Sequence, residues 1–354
     1  MDRYILEIPQ SFLDAMAKGP VQPPPASVAP NAFDDKVGSN QHYIPQQYIK
    51  KFLPDGRSEL YRLDKEERQF PRIRLKTPRK LCSAAGFYDV PAGYGGTFSA
   101  MLDHIQASSE ILLSEVYGQL APWLDHAPAR IEISAELRQR IALLLASLHL
   151  RTPGARALVK RVACQFKVLR EAGALDDLVE TFMYKMLGPA GSAAHQLLRR
   201  MGVSADSVAW SDAQLDTLAH GWLMTHHELV FQMARQLEES EWTLLFCPPD
   251  SGFVSSDNPV VHQGAGWGEP NALWAWPINP RYCLGGRFGP KVLNGGSGTA
   301  AVPVELASSA QVDALNELHL SKATRFVFGS AATHLEAAIH YTGAAGLDTL
   351  FSNR

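Results

Sequence analysis

Apolar residues recur at helical spacing through the middle of the chain. Between about 98 and 240, stripes with a period near 3.6 residues alternate with capping residues such as Ser134 and Thr152, and Pro153 stands at a first helical position. The pattern predicts a central bundle of about six helices. They cover about 98–120, 134–150, 152–173, 176–187, 193–201 and 211–239.

Shorter apolar and β-branched runs lie on both sides of this helical middle, separated by Pro, Gly, Asp and Asn. Strands and helices do not alternate, which predicts an α+β fold whose mixed or antiparallel sheet combines N- and C-terminal strands. Two more helices are expected near the C-terminus. The predicted strands are 59–64, 72–80, 242–247, 253–261, 273–278, 282–288 and 325–328, and the helices 309–323 and 334–345.

The first 39 residues differ from the rest. Gly19 to Pro25 contains four prolines, which favour an extended backbone and interrupt helices. We therefore expect an N-terminal segment with a proline-rich linker at 1–39 and a single domain at 40–354. The first 18 residues are either a tether that docks on the main body or on a protein partner, or a disordered leader.

Charge and cysteine content narrow the class of protein. The 354 residues include 33 basic and 36 acidic side chains, a net charge of −3, which excludes a broad nucleic-acid surface but allows a local anion site. The four cysteines form no C-x-x-C pair and are expected to be reduced. Neither a signal peptide nor an apolar run of membrane-spanning length is present, so we expect a cytoplasmic protein that does not bind membranes.

His42 is the first candidate for chemistry. It lies just before Tyr43, Ile44 and Pro45, and the proline restricts the preceding backbone to extended geometry, which would hold the imidazole in one orientation. A general base needs such a fixed nitrogen. Gln46 follows one helical turn later and is a candidate substrate-binding residue. A purely structural role for His42 is the alternative.

Arg151 and Thr152 form the second candidate. Arg151 ends one predicted helix and Thr152 caps the next, so a guanidinium and free backbone N–H groups could meet at an anion. The alternative is that Arg151 only neutralises the C-terminus of its own helix. Arg74, in the basic strand 72–80, could also contact phosphate, although such a strand is more often a solvated face.

Ser256, Asp257 and Asn258 form the third candidate. They interrupt an apolar strand and are followed by Pro259, which places a hydroxyl, a carboxylate and an amide at one corner. Partial burial there would shift the pKa of the carboxylate. The competing interpretation is that these side chains satisfy the backbone of a turn.

Several common signatures are missing from the sequence. His220, His227 and Glu228 lack the H-E-x-x-H spacing of a zinc helix. The glycine-rich loops lack the phosphate-loop and dinucleotide patterns, and no G-x-S-x-G elbow occurs. No organic cofactor is predicted, and the question of a divalent metal stays open.

The run from Gln41 to Phe52 resembles the opening motif of a bacterial and fungal family, the domain of unknown function 4238, which typically begins His-His-Tyr-Val/Ile-Pro-Gln. Gln41 replaces the first histidine here. Further similar features are at 86–88, 151–153, 242–260, 276–280 and 316–327, so the resemblance spans about 40–330. The family has no established activity, and the resemblance therefore implies one domain with a shared polar site.

Two functional hypotheses follow. In the first, His42, Arg151 and Asp257 converge in one cleft as a general base, an anion stabiliser and an orienting group. The protein would then be a hydrolase or nuclease-like enzyme acting on a phosphate-containing, small-molecule or nucleotide-type substrate, bound with help from Gln46, Thr152, Ser256, Asn258 and Arg74. In the second, it is a non-catalytic binding protein, such as a toxin, immunity or phage-defence component.

Overall fold

The chain divides after Ser39, and all residues described belong to the part from Asn40 to Arg354. The structure, a computed structural model, describes a large share of that part. The predicted leader and linker at 1–39 lie outside it. Described are 40–67, 73–85, 87, 95–124, 129–158, 167–180, 192, 195–196, 199–202, 204–207, 211–212, 215, 227–264, 267–289 and 300–340, with backbone alone at 95–108, 157–158 and 227–228.

The described part combines strands and helices in the order expected of an α+β protein. Its strands are β1 Asn40–His42, β2 Leu60–Asp64, β3 Arg74–Lys76, β4 Ser83–Ala85, β5 Arg130–Ile133, β6 Thr243–Phe246, β7 Ser255–Ser256, β8 Val261–His262, β9 Leu273–Asn279, β10 Tyr282–Arg287, β11 Ala300–Leu306 and β12 Phe326–Gly329. Its helices are α1 Gln46–Ile49, α2 Gly95–Leu124, α3 Ala135–Leu150, α4 Pro153–Leu158, α5 His227–Glu238, α6 Ser309–Lys322 and α7 Ala332–His340. Residues 167–171 and 175–180 are also helical. The α+β fold class is confirmed.

A four-stranded antiparallel sheet joins the two ends of the described body. Its strand order is β3-β2-β12-β7, and Val327 on β12 is paired with Leu63 on one side and Ser256 on the other. The prediction that N- and C-terminal strands share a sheet is therefore confirmed here. The short ribbon of β1 and β4 is separate from this sheet.

The second large sheet is mixed, with the order β5-β11-β6-β10-β9-β8. All its pairs are antiparallel except β11 with β6. The strand β9 is buried along nearly its whole length, because Trp274 and Trp276 fill the core on one face and Leu273 and Ala275 pack in a second apolar cluster on the other. The strands β5 and β11 were not predicted from the sequence.

Helices α2, α3 and α5 pack together, with α3 in contact with both others. Ser134 caps α3 by accepting a hydrogen bond from the Leu137 N–H at 3.1 Å, as predicted. Arg138, in the first turn of α3, is buried. Its Nε donates to the Glu238 carbonyl at 2.8 Å, and its guanidinium lies 4.2 Å from the Trp242 ring. This contact fixes the end of α5. The other predicted helices of the bundle lie partly or wholly outside the described residues.

Two boundaries differ from the predictions for identifiable reasons. The run 253–261 is not one strand: β7 and β8 are separated by a bend, because Ser256 and Asp257 use their side chains to bind nearby backbone groups. The basic segment 72–80 forms only the short strand β3 and then a 3₁₀ turn at Pro78–Lys80.

Cys82, Cys247 and Cys283 are free and buried. Among the helices described, none combines the length and apolarity needed to cross a membrane.

Candidate functional site

The end of α3 meets the β1–β4 ribbon at His42 and Arg151. His42 closes β1 and is paired with Ser83 on β4. Arg151 follows the last residue of α3, and its Nη2 donates to the backbone carbonyl of His42 at 3.5 Å. Two candidates that are 109 residues apart in the chain are thus neighbours.

The Arg151 side chain has unusually few partners for a buried cation. The residue is 1% exposed, and neither Nε nor Nη1 has a hydrogen-bond partner. Its Nη2 contact is long, and no carboxylate among the described residues forms an ion pair with it. An unpaired buried charge costs several kcal/mol, about as much as a folded protein can spare. The guanidinium therefore has free donors for an anion.

The His42 ring is held in one tautomer. Its Nε2 lies 3.1 Å from the Arg79 carbonyl oxygen, which can only accept, so Nε2 carries the proton. Its Nδ1 then has the lone pair, 3.4 Å from the Gln46 amide nitrogen. Burial lowers the pKa of His42, against smaller opposing effects of backbone carbonyls and of the Glu110 carboxylate. The imidazole is consequently neutral at neutral pH and able to accept a proton.

Thr152 has the capping role that the sequence predicted. Its Oγ1 donates to the His149 carbonyl at 2.8 Å and accepts from the Ala155 N–H at 3.1 Å. The hydroxyl proton is therefore used locally, and so is one of the two acceptor lone pairs. The next turn, at Gly154, is close to the loop after α6, since a Cβ on Gly154 would lie 3.6 Å from the Thr324 hydroxyl.

Asp257 anchors that same loop. Its carboxylate accepts from the backbone N–H groups of Thr324 at 2.8 Å, Arg325 at 2.7 Å and Phe326 at 3.1 Å. The residue is fully buried, and this burial raises the pKa of Asp257 in spite of the three hydrogen bonds and the nearby Lys65. Both carboxylate oxygens hold the chain between α6 and β12, which is a structural task.

Ser256 and Asn258 define the turn around Asp257. The Ser256 hydroxyl donates to the Asn258 carbonyl at 2.8 Å and accepts from its N–H at 3.1 Å. The Asn258 side chain lies close to the imidazole of His149, on α3, and acts to raise the pKa of that ring. Burial dominates and lowers the pKa of His149 to about 4.

Cys82 connects the His42 and Asp257 regions. Its carbonyl accepts from the Tyr43 N–H at 3.0 Å, one residue after His42. Burial raises the pKa of the Cys82 thiol, and the Asp257 carboxylate adds to this rise. The structure thus brings His42 and Arg151 together, whereas no hydrogen bond or ion pair among the described residues joins Asp257 to either of them.

Arg74 has a different setting. It lies on the edge strand β3 and forms an ion pair with Glu67 at 3.3 Å, which also binds Arg62. Among the described residues, no hydrogen bond or ion pair joins Arg74 to His42 or Arg151. Its role in substrate binding stays a prediction.

A polar cluster in the helical region was missed by the sequence reasoning. The buried His195 lies with Nε2 3.2 Å from Asp176 and Nδ1 3.8 Å from Glu180, and Arg199 binds Asp176 at 2.7 Å. Asp176 and Glu180 are one helical turn apart, as are His195 and Arg199, and these spacings were the signal in the sequence. Among the side chains described, no set of three or more His, Cys, Asp or Glu is arranged to hold a metal ion.

His319 on α6 gives a prediction on pH dependence. The residue is fully buried, neither ring nitrogen has a partner, and burial lowers its pKa from 6.5 to about 3. The unfolded chain takes up a proton below 6.5 and the folded chain does not, so stability present at pH 7 is lost as the pH falls towards 3.

Between about pH 7 and pH 5, the free energy of unfolding of His319→Leu should fall by about 2 kcal/mol less than that of the wild type, because the variant lacks this imidazole. At neutral pH the variant should be at least as stable as the wild type, because no hydrogen bond is lost. Urea unfolding at both pH values measures this, with the exposed His340→Ala as the control. An unchanged loss of stability in His319→Leu would show that this imidazole does not control acid unfolding.

Comparison with known proteins identifies the family. Residues 40–333 match the model of a protein family of unknown function, DUF4238. The chain belongs to this family, and the resemblance inferred from the His42 motif is confirmed. No curated protein and no solved structure matches the chain. The segments around His42 and Arg151, which contributed to the resemblance, are in contact with each other at the candidate site.

Proposed function

We propose that this protein is an enzyme that hydrolyses a phosphate-containing substrate, of small-molecule or nucleotide type, or transfers a group from it. The observation that carries the proposal is the buried Arg151 guanidinium, with Nε and Nη1 unpaired beside His42. A cation of this kind needs an anionic partner, and phosphate oxygens match the planar donor fork of arginine.

The geometry of the guanidinium supports binding of an oxyanion at either of its edges. One edge consists of the N–H groups of Nε and Nη2, and the other of those of Nη1 and Nη2. The contact from Nη2 to the His42 carbonyl is long, at 3.5 Å. Two parallel N–H donors could therefore be turned towards phosphate oxygens. Such donors stabilise the negative charge that develops in the transition state of phosphoryl transfer.

His42 supplies the base in this proposal. Its Nδ1 has the lone pair, because Nε2 donates to the Arg79 carbonyl. The Gln46 amide N–H, 3.4 Å from Nδ1, would turn away from the ring to bind a water or a substrate hydroxyl, whose proton would then pass to the Nδ1 lone pair. Asp257 contributes indirectly, since it holds the Thr324–Phe326 loop that borders the Arg151 corner.

A second function is favoured by the same Asp257 contacts. One of the three predicted catalytic groups is saturated by backbone N–H groups, as expected of a protein in which the polar corners maintain the fold. In that case the chain is a non-catalytic binding protein that recognises an anionic ligand or a protein. Native mass spectrometry of the purified chain separates the two, since a retained small anion favours the first proposal and a co-purified protein the second.

The catalytic proposal is tested by His42→Gln. We expect a decrease of about 100-fold or more in phosphoester hydrolysis, because general-base catalysis contributes at least this factor. The assay covers a panel of phosphomonoesters, phosphodiesters and nucleotides, with and without divalent cation. His340→Ala, which removes an exposed imidazole on α7, is the matched control and should keep full activity. Equal rates in His42→Gln and the wild type, or no hydrolysis of any substrate by the wild type, would contradict the proposal.

A further inference from the structure

A pair of imidazoles next to Asn258 has no part in the proposed catalysis. The rings of His149 on α3 and His262 on β8 have centroids 5.6 Å apart, at an angle of 59°. Trp267 packs against both, 4.5 Å from His149 and 5.6 Å from His262. The three rings form a compact cluster between α3 and the edge of the six-stranded sheet.

Both imidazoles are held in the same tautomer. Nδ1 of His149 is 3.2 Å from the Val260 carbonyl oxygen, and Nδ1 of His262 is 3.0 Å from that of Gln263. A carbonyl oxygen only accepts, so each Nδ1 carries a proton and each Nε2 has a free lone pair. Histidines that bind metals are oriented in this way, by donation of the other ring nitrogen to a carbonyl or carboxylate.

The environment keeps both rings in the neutral, ligating form. Burial lowers the pKa of His149 to about 4, with a further lowering by His262. Burial also lowers the pKa of His262.

Asn258 provides a third donor beside this pair. Its side chain contacts His149, the residue is 8% exposed, and its Oδ1 is buried with no hydrogen-bond partner. A buried amide oxygen without a partner is costly and points to a missing ligand.

We propose that Nε2 of His149, Nε2 of His262 and Oδ1 of Asn258 bind a transition-metal ion of the Zn²⁺ class. An ion about 2.1 Å from each Nε2 lies about 3.2 Å from each ring centroid, which places two ligating rings about 5–6 Å apart. The observed separation of 5.6 Å falls in this range. Imidazole nitrogen favours Zn²⁺, Cu²⁺ or Ni²⁺ over Mg²⁺, which prefers oxygen ligands.

The charges around the pair nearly balance. The Glu269 carboxylate acts to raise the pKa of His262 and Lys322 acts to lower it. Lys322 is directed to the Gly264 carbonyl, at 3.2 Å from its Nζ. Binding of the metal ion thus depends on the imidazole nitrogens rather than on a surplus of negative charge around them. The proposal is independent of catalysis at Arg151, although Asn258 was also a predicted substrate-binding residue.

The test is calorimetric titration of Zn²⁺ into the chelator-treated full chain. We expect the wild type to bind one more equivalent of Zn²⁺ than His262→Ala, a change at a half-buried ring, and Mg²⁺ not to compete. The matched control His340→Ala should bind like the wild type, and Arg151→Met should also keep this site. Equal Zn²⁺ binding by His262→Ala and the wild type would overturn the proposal, as would effective competition by Mg²⁺.

A second measurement locates the ion without relying on a folded ligand variant. Co²⁺, a paramagnetic substitute for Zn²⁺, should quench the fluorescence of Trp267, which packs on both rings. The quenching should disappear in Trp267→Phe and be reversed by added Zn²⁺. Quenching that is the same in Trp267→Phe and the wild type would place the ion elsewhere and contradict the assignment.

Discussion

Arg151→Met is expected to lose about 100-fold or more of the phosphoester hydrolysis while the protein stays folded. Removal of one donor to a developing oxyanion costs about this factor in other enzymes. Methionine keeps the apolar stem of the side chain and removes a buried charge that has one long hydrogen bond. In phosphate-free buffer we therefore expect a melting temperature at or above that of the wild type. Steady-state rates and thermal unfolding, measured on the same preparations, check both parts.

Arg151→Lys is the matched comparison. It keeps the charge but loses the planar fork, so its activity should lie between those of the wild type and Arg151→Met. A large loss of stability in Arg151→Met would mean that the guanidinium has a partner in the folded chain and a structural role. Full activity in that variant would contradict the proposed site.

Asp257→Ala is expected to cause the largest loss of stability, about 3–5 kcal/mol in the free energy of unfolding. The substitution leaves the backbone N–H groups of Thr324, Arg325 and Phe326 without their acceptor in the interior. It also releases the chain entering β12, the strand that joins β2 to β7. Equilibrium unfolding in urea measures the change.

The control for Asp257→Ala is Asp250→Ala, at an exposed position in the turn before β7. This variant should differ from the wild type by less than about 0.5 kcal/mol. If Asp257→Ala were as stable as this control, the three hydrogen bonds would not hold the loop. Asp257 would then be free for the catalytic role that the sequence first indicated.

The elements predicted from the sequence are those in which the spacing of apolar residues and the capping residues can be seen within the segment itself. Helix α3 with Ser134, helix α6 and the strands β9 and β10 lie within a few residues of their predicted bounds. The strands β5 and β11 were missed. β5 has only four residues, Arg130 to Ile133, and its alternation of exposed and buried positions is too short to stand out. β11 contains Pro303, which weakens a strand prediction.

The candidate site was predictable as residue types but not as contacts. Asp257 was chosen for its carboxylate, yet its partners are backbone N–H groups 67 to 69 residues later, and backbone donors carry no side-chain signature in a sequence. The pairing of His149 with His262 was not predicted, for a related reason. They are on different elements, and a pair brought together only by packing has no fixed spacing in the chain.

Binding of inorganic phosphate to the full chain tests the central claim most directly, because it requires no knowledge of the substrate. Isothermal titration of wild type, Arg151→Met and Arg151→Lys measures whether the unpaired guanidinium takes an anion. The account predicts saturable binding by the wild type, weaker binding by Arg151→Lys and none by Arg151→Met. Equal phosphate binding by Arg151→Met and the wild type, or none by the wild type, would contradict it.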